Sequence, residues 1–295
     1  MAMLPEQENL GDESRHSTRV GLLEVPGATL HYETRGAGPV LLLIAGGPGD
    51  AAAYDGIAEL LSDRYTVVSY DPRGNSRSTL DGPAQDQTIE IHADDAHLLL
   101  EAVGADPAYV FGNSGGAVIG LDLVARYPGQ VRTLVAHEPP VVEMLPVNAR
   151  HRAFTRNVLD TYRKDGVGAA MQKFLAGSGL GANAREQASA PQNDPSPKAL
   201  EASTRVAGNV EFFLAHNFPA IAGYLPDVVK LQAASSRIVV AGGEASGTQL
   251  AYKSGAALAK RLGTVVLVFP GDHAGFSMYP SAFAERLHKV LIGAS

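Results

Sequence analysis

The chain has 295 residues, 45% of them apolar, enough to bury one large core or two ordinary ones. Its 31 acidic residues outnumber 24 basic ones, for a formal charge of −7, and no basic block stands anywhere. This argues against nucleic acid or an anionic membrane as partner. Cysteine is absent, so disulfides, thiolate nucleophiles and cysteine zinc sites are excluded, and covalent chemistry has to run through a hydroxyl, a carboxylate or a lysine.

In chain order, residues 1–18 are polar and read as a loose tail without the apolar centre of a signal peptide. No apolar run approaches the roughly 20 residues a membrane helix needs, so the expectation is a soluble cytoplasmic protein. Runs at 20–25 and 29–33, turned at Pro26-Gly27, have the spacing of an antiparallel hairpin. Short apolar runs follow at 40–45 (VLLLIA), 65–70 (YTVVSY), 108–112 (AYVFG), 131–136 (VRTLVA), 237–241 (RIVVA) and 264–269 (TVVLVF). Helix-period segments lie between and after them at 89–103, 117–127, 250–262 and 281–291. Near-continuous Val, Leu and Ile alternating with helices predict a mostly parallel sheet covered by helices on both faces.

The alternation breaks once, between Ala136 and Arg237. Residues 149–166 read as a helix with a basic face, and 176–203 as a small, polar, proline-interrupted loop with a short helix in it. Residues 211–231 are apolar again. The segment has few apolar residues for a core of its own, and predicts a helical cap over the carboxyl edge of the sheet, where open α/β folds bind ligands. The expected organisation is therefore a tail over 1–18, a core from 19–140 and 234–295, and a cap over 141–233.

The strongest chemical signal is VFGNSGGAVIG. Gly112-Asn113-Ser114-Gly115-Gly116 fits G-x-S-x-G, with an apolar strand before it and a helical stretch after it. A sharp strand-to-helix turn lifts the serine hydroxyl clear of the sheet, and the helix N-terminus favours developing negative charge. The plain alternative is a serine that merely caps the helix. A serine nucleophile needs a base and donors for an oxyanion. His273, in VFPGDHAGF after the last strand, stands where the order Ser…acid…His places the base; otherwise it is an exposed loop histidine. The expected oxyanion donors are the amides of Gly115 and of Gly47, in the IAGGPGD loop after the first buried strand.

On these residues the chain resembles the α/β-hydrolase superfamily, over roughly 20 to 291. YDPRGNSRS resembles its D-x-R-G-x-G-x-S stretch, which shapes a pocket wall, and FPGDHAGF its histidine loop. GGPG is similar to the HGGPG of its proline iminopeptidase and lactonase branches, but Ala45 stands where histidine is usual, which weakens a peptidase reading. The superfamily usually takes its triad acid from a G-E-x-D loop after the cap. Here that loop reads Gly243-Glu244-Ala245-Ser246, with a neutral hydroxyl in the acid's place. Glu138, ending TLVAHE on the strand after the nucleophile helix, is the preferred acid, and Glu244 the fallback. YPGQVRTLVAHEPP is similar to the segment from which zearalenone-type lactone hydrolases take theirs. His137 next to it is expected to point the other way and serve structure.

Asp71 and Arg73 are expected to pair within their loop. In HADDAH, His92 and His97 lie about 140° apart on a helix and do not share a face. A solvated helix face is the expected account of that stretch. Pocket candidates are Pro48, Asn113, Asn209, Phe212, Phe213, His216, Tyr224 and Phe276; for the five between 209 and 224 the alternative is ordinary packing. The expected function is a serine hydrolase of hydrophobic esters or lactones working without cofactor or metal. The alternatives are C–C hydrolysis or cofactor-free oxygen chemistry on the same fold, or a non-catalytic small-ligand receptor. Oligomeric state is not legible.

Overall fold

The apolar runs become neighbouring strands of one sheet in the computed structural model, which describes residues 17–105, 107–146, 148–180, 196–234 and 236–294. The tail expected over 1–18, except its last two residues, lies outside the described residues, as does 181–195 of the polar loop. Strands β1 (Arg19–Val25) and β2 (Ala28–Arg35) form the hairpin, and β2 joins β4 (Thr66–Tyr70) antiparallel. From there β3 (Val40–Ile44), β6 (Ala108–Asn113), β7 (Val131–His137), β8 (Arg237–Gly243) and β9 (Leu267–Phe269) pair in parallel. The order is β1-β2-β4-β3-β6-β7-β8-β9, with the two-residue β5 (Thr79–Leu80) paired to β2.

Successive strand residues face opposite sides of a sheet. In β3, Leu42 and Ile44 enter one apolar cluster while Leu41 and Leu43 enter another, which is why VLLLI is unbroken rather than alternating. The first cluster is closed by α2 (Ile89–Ala102), α3 (Gly115–Arg126) and α8 (Leu250–Arg261), through residues such as Leu99, Val118 and Leu258. The second is closed by α1 (Asp55–Leu61) and α10 (Pro280–Leu291), through Ile57, Leu61, Phe283 and Leu287. Strand β9 is shorter than the expected 264–269. Val265 is 76% exposed at this sheet edge, so the start of the apolar run stays outside the ladder.

Between β7 and β8 the chain is helical. Helix α4 (Asn148–Ser178) is interrupted at Gly166, whose φ of 85° an L-residue rarely adopts. Helix α5 (Pro197–Phe212) starts on a Ser196 side-chain cap and runs into a π-helical turn at Phe213–Asn217, then α6 (Phe218–Gly223) and α7 (Val228–Ala233). Unlike the sequence expectation, this segment carries a small apolar cluster of its own, around Val158, Phe213, Leu214 and Phe218. A final short helix, α9 (Gly275–Met278), precedes α10. Among the described residues no helix is long and apolar enough to cross a membrane.

Two expectations about charge are corrected. Asp71 does not pair with Arg73. Arg77 takes both Asp71 oxygens, at 2.7 and 2.9 Å, while Arg73 reaches α2 and binds Asp95 at 2.5 and 2.7 Å. Nor is HADDAH a solvated face. Asp95 and His92 are buried, and His92 Nε2 lies 3.2 Å from Asn217 Oδ1 of the π-helical turn. The helix is covered from outside by a segment more than a hundred positions later, which no local pattern reveals.

Candidate active site

Ser114 occupies the turn between β6 and α3 at φ 55° and ψ −122°, a region costly for a side chain-bearing residue and one that clusters at functional sites. The strain is held by hydrogen bonds on both sides. The Ser114 amide donates to the His137 carbonyl at 2.9 Å, and its own carbonyl accepts the first bond of the helix, from Ala117, at 3.0 Å. The turn closes this tightly only because Gly116 lies against the Ile44 carbonyl, where a Cβ would collide. Its side chain makes no capping bond to α3, so the plain alternative of a helix cap is not what the hydroxyl does.

Glu138 follows β7, also at a positive φ of 49°, and its amide donates to the Ala241 carbonyl of β8 at 2.8 Å. This kink turns the carboxylate away from the strand direction. Oε1 accepts from the Gly243 amide at 2.8 Å, and Oε2 stands 2.6 Å from Nδ1 of His273. The Glu138 side chain is fully buried and His273 is 15% exposed. Burial opposes the charge on Glu138, but the hydrogen bond and positive charge offered by His273 outweigh it and hold the carboxyl below its ordinary value. The buried Ser246 hydroxyl adds in the same direction. Thus the position where the acid is missing from the usual loop still faces a carboxylate, supplied by another strand.

Glu244 is exposed, and its Oε1 accepts from the Gly271 amide at 3.2 Å, bracing the histidine loop rather than touching the ring. His137 points to the other side of the sheet from Glu138. It sits among Phe111, Phe269 and Phe283, with Nδ1 2.8 Å from Asn113 Oδ1. The amide oxygen only accepts, so Nδ1 carries the proton and Nε2 keeps its lone pair within the aromatic cluster.

Burial pushes the pKa of His137 down to about 4, and that of His92 likewise. The unfolded chain takes up a proton on each ring near 6.5, the folded chain only near 4. This contribution to stability is complete above pH 6.5 and is lost as pH falls toward 4, at about 1 kcal/mol per pH unit for each ring. Urea midpoints measured from pH 7.5 down to 5 are expected to decline accordingly, and less steeply in His137→Asn. A flat profile would mean that the rings protonate inside the fold.

Gly47, at φ 56°, lies with its amide nitrogen 3.5 Å from the point where a Cβ on Gly115 would stand. Among the described residues the Gly47 amide has no acceptor. Both glycines, Ser114 and His273 line one cavity of about 330 Å³. Its far walls are Phe154, Met171 and Phe174 of α4 with Phe213, Phe218 and Ile221.

Of the expected pocket residues, Pro48, Asn113 and Phe213 line this cavity. His216, Tyr224 and Phe276 do not. His216 bonds Asp86 at 3.1 Å, the Tyr224 hydroxyl donates to Asp122 at 3.0 Å, and Phe276 packs on Tyr54 and Phe111. Asn209 and Phe212 face the loops below α5 instead. The α4 contribution was missed, although Met171, Phe174, Leu175 and Ser178 follow the i, i+3, i+4, i+7 spacing of one helix face. No cluster of three or more metal-ligating residues occurs among the described residues.

Residues 39–276 match the family described as alpha/beta hydrolase fold. The uncharacterized hydrolase YraK of Bacillus subtilis is 38% identical over 277 residues, covering 92% of this chain and 95% of the relative. Among solved structures, a thermophilic esterase from Thermogutta terrifontis has a TM-score of 0.71 at 20% identity, over 94% of this chain and 99% of that one. The enol-lactonase from Burkholderia xenovorans LB400 has 0.69 at 20%, over 92% and 100%. At that identity these two speak for the fold.

Proposed function

The chain belongs to the alpha/beta hydrolase family and is an enzyme of that fold, and we propose that it is a serine hydrolase cleaving hydrophobic carboxylic esters or lactones. The observation that carries this reading is the 2.6 Å contact of His273 Nδ1 with the fully buried Glu138 carboxylate, in the cavity that also presents the strained Ser114.

In this reading Nε2 of His273 takes the Ser114 hydroxyl proton as Oγ attacks the substrate carbonyl carbon. Glu138 keeps the ring's other proton on Nδ1 and stabilises the imidazolium that forms. The Gly47 and Gly115 amides hold the developing oxyanion, where fixed donors in a dry site are worth most. The imidazolium returns its proton to the leaving oxygen, giving an acyl-serine, and water attacks that ester by the same route. No metal or cofactor is needed for any step. The acid on the strand after the nucleophile helix is the arrangement of the lactone-hydrolase branch that the sequence resembles.

The apolar walls suit a hydrophobic group of modest size, and 330 Å³ lies at the lower end of small-molecule pockets. An esterase and an enol-lactonase among the structural neighbours fit this substrate class. The described residues of 141–233 act as the cap that supplies most of those walls. Being an enzyme, the chain is not a non-catalytic small-ligand receptor.

The test is covalent. A fluorophosphonate probe should add one phosphonyl group, mapped by peptide mass to Ser114. No labelling would remove the serine mechanism. Product analysis with a panel of esters and lactones then separates hydrolysis from C–C cleavage or oxygen chemistry.

A further inference from the structure

The loop carrying Gly47 is a turn whose hydrogen bonds run in series. The Gly49 amide donates to the Gly46 carbonyl at 3.0 Å, closing Gly46-Gly47-Pro48-Gly49. The Gly46 carbonyl and the Gly47 amide belong to one trans peptide unit, so its oxygen and hydrogen point in opposite directions. Holding that oxygen on Gly49 therefore aims the Gly47 N–H out of the turn, on the side where Gly115 stands. The Gly49 amide and the Pro48 carbonyl form another such unit, and the Pro48 oxygen accepts a 2.9 Å hydrogen bond from Nδ2 of Asn209.

Asn209 lies on α5 and is 5% exposed. Its Oδ1 accepts from the Ser76 amide at 2.7 Å, and Nδ2 also donates to Ser76 Oγ at 2.8 Å. A backbone amide can only donate, so Ser76 fixes which end of the Asn209 amide is oxygen and which is nitrogen. Every hydrogen on Nδ2 is then used, one of them on Pro48. The hydrogen-bond chain runs from the α5 side chain through two peptide units to the Gly47 N–H, and each bond in such a chain polarises the next.

We infer that Asn209 is a positioning residue for the Gly47 oxyanion donor, so that the donor is fully set only when α5 is docked on the core; this rests on the reading of Gly47 as an oxyanion donor. A second tie between α5 and the core meets this network only at Asp50, whose Oδ2 also accepts from Ser76 Oγ at 2.9 Å. Arg205 binds Asp50 at 3.0 Å without touching Pro48. The two ties separate positioning from mere anchoring of the helix.

The experiment is the concentration dependence of fluorophosphonate labelling, which separates the maximal inactivation rate from probe binding, in wild type, Asn209→Ala, Asn209→Asp and Arg205→Met, with a melting temperature for each. Loss of a whole oxyanion donor costs about 10²–10³-fold, so loss of its alignment should lower the maximal rate about tenfold. Both Asn209 variants are expected to show this with probe binding changed less than about twofold, because the probe's oxygen takes charge only as the bond forms. Arg205→Met leaves the Asn209 bonds to Pro48 and Ser76 in place and should keep the rate within about twofold whatever its melting temperature. Asn209→Asp keeps an acceptor for the Ser76 amide and nearly the same volume, and it answers the question if the alanine variant does not fold. Unchanged maximal rates in the Asn209 variants, or an equal fall in Arg205→Met, would overturn the inference while leaving the serine mechanism intact. A wild type that does not label removes both.

Discussion

Ser114→Ala is expected to lower turnover of a p-nitrophenyl ester by about 10⁵-fold or more, the scale on which losing the nucleophile of a cooperating triad acts. The remainder comes from binding and from the oxyanion donors, which the substitution leaves in place. The fold should barely notice. The hydroxyl makes no capping bond, and alanine meets the same left-handed backbone that serine already endures. Unfolding free energy should therefore stay within about 0.5 kcal/mol of wild type, or rise slightly. The measurement pairs initial rates on rigorously separated protein with a denaturation curve. Turnover within tenfold of wild type would sink the acyl-enzyme mechanism, since no other side chain in the proposed scheme attacks carbon.

The central strands were legible because each is buried on both faces. Burial on both sides replaces alternation with continuous apolar runs such as VLLLI and AYVFG, and these are too short, between their turn residues, to be helices. The elbow was legible because its geometry needs small residues at fixed offsets from a serine. What was not legible depends on chain segments far apart. Arg73 and Asp71 sit two positions apart, yet the intervening Pro72 and the turn send them to different partners. His92 is buried, with its ring bonded to Asn217 from a segment far along the chain. Five of the eight expected pocket residues were drawn from the polar and aromatic residues of 209–224, whereas much of the wall comes from an apolar stripe on α4, whose sequence is polar overall. The acid was ambiguous for a sharper reason. Glu138 and Glu244 both end strands at the same sheet edge, on neighbouring strands, and only the backbone conformation after each decides which carboxylate reaches the ring.

That ambiguity sets the other large prediction. Glu138→Gln is expected to lower turnover by about 10³–10⁴-fold, with KM changed only a few-fold, and Glu244→Gln to stay within about twofold. Glutamine keeps an oxygen for the Gly243 amide at the Oε1 position, so the kink after β7 has no cause to open. What it presents to His273 is changed. A side-chain amide facing Nδ1 through its NH₂ group requires a lone pair there, which moves the ring proton to Nε2, the atom that must accept the serine proton. Facing Nδ1 through its oxygen it would preserve the tautomer, but only by turning its NH₂ onto the Gly243 N–H, donor against donor, and the imidazolium would still form beside a neutral group. Either way the base weakens while the cavity keeps its shape. Equal rates in Glu138→Gln and wild type would make the 2.6 Å contact a structural pair only. A large loss confined to Glu244→Gln would assign the acid to the loop after β8.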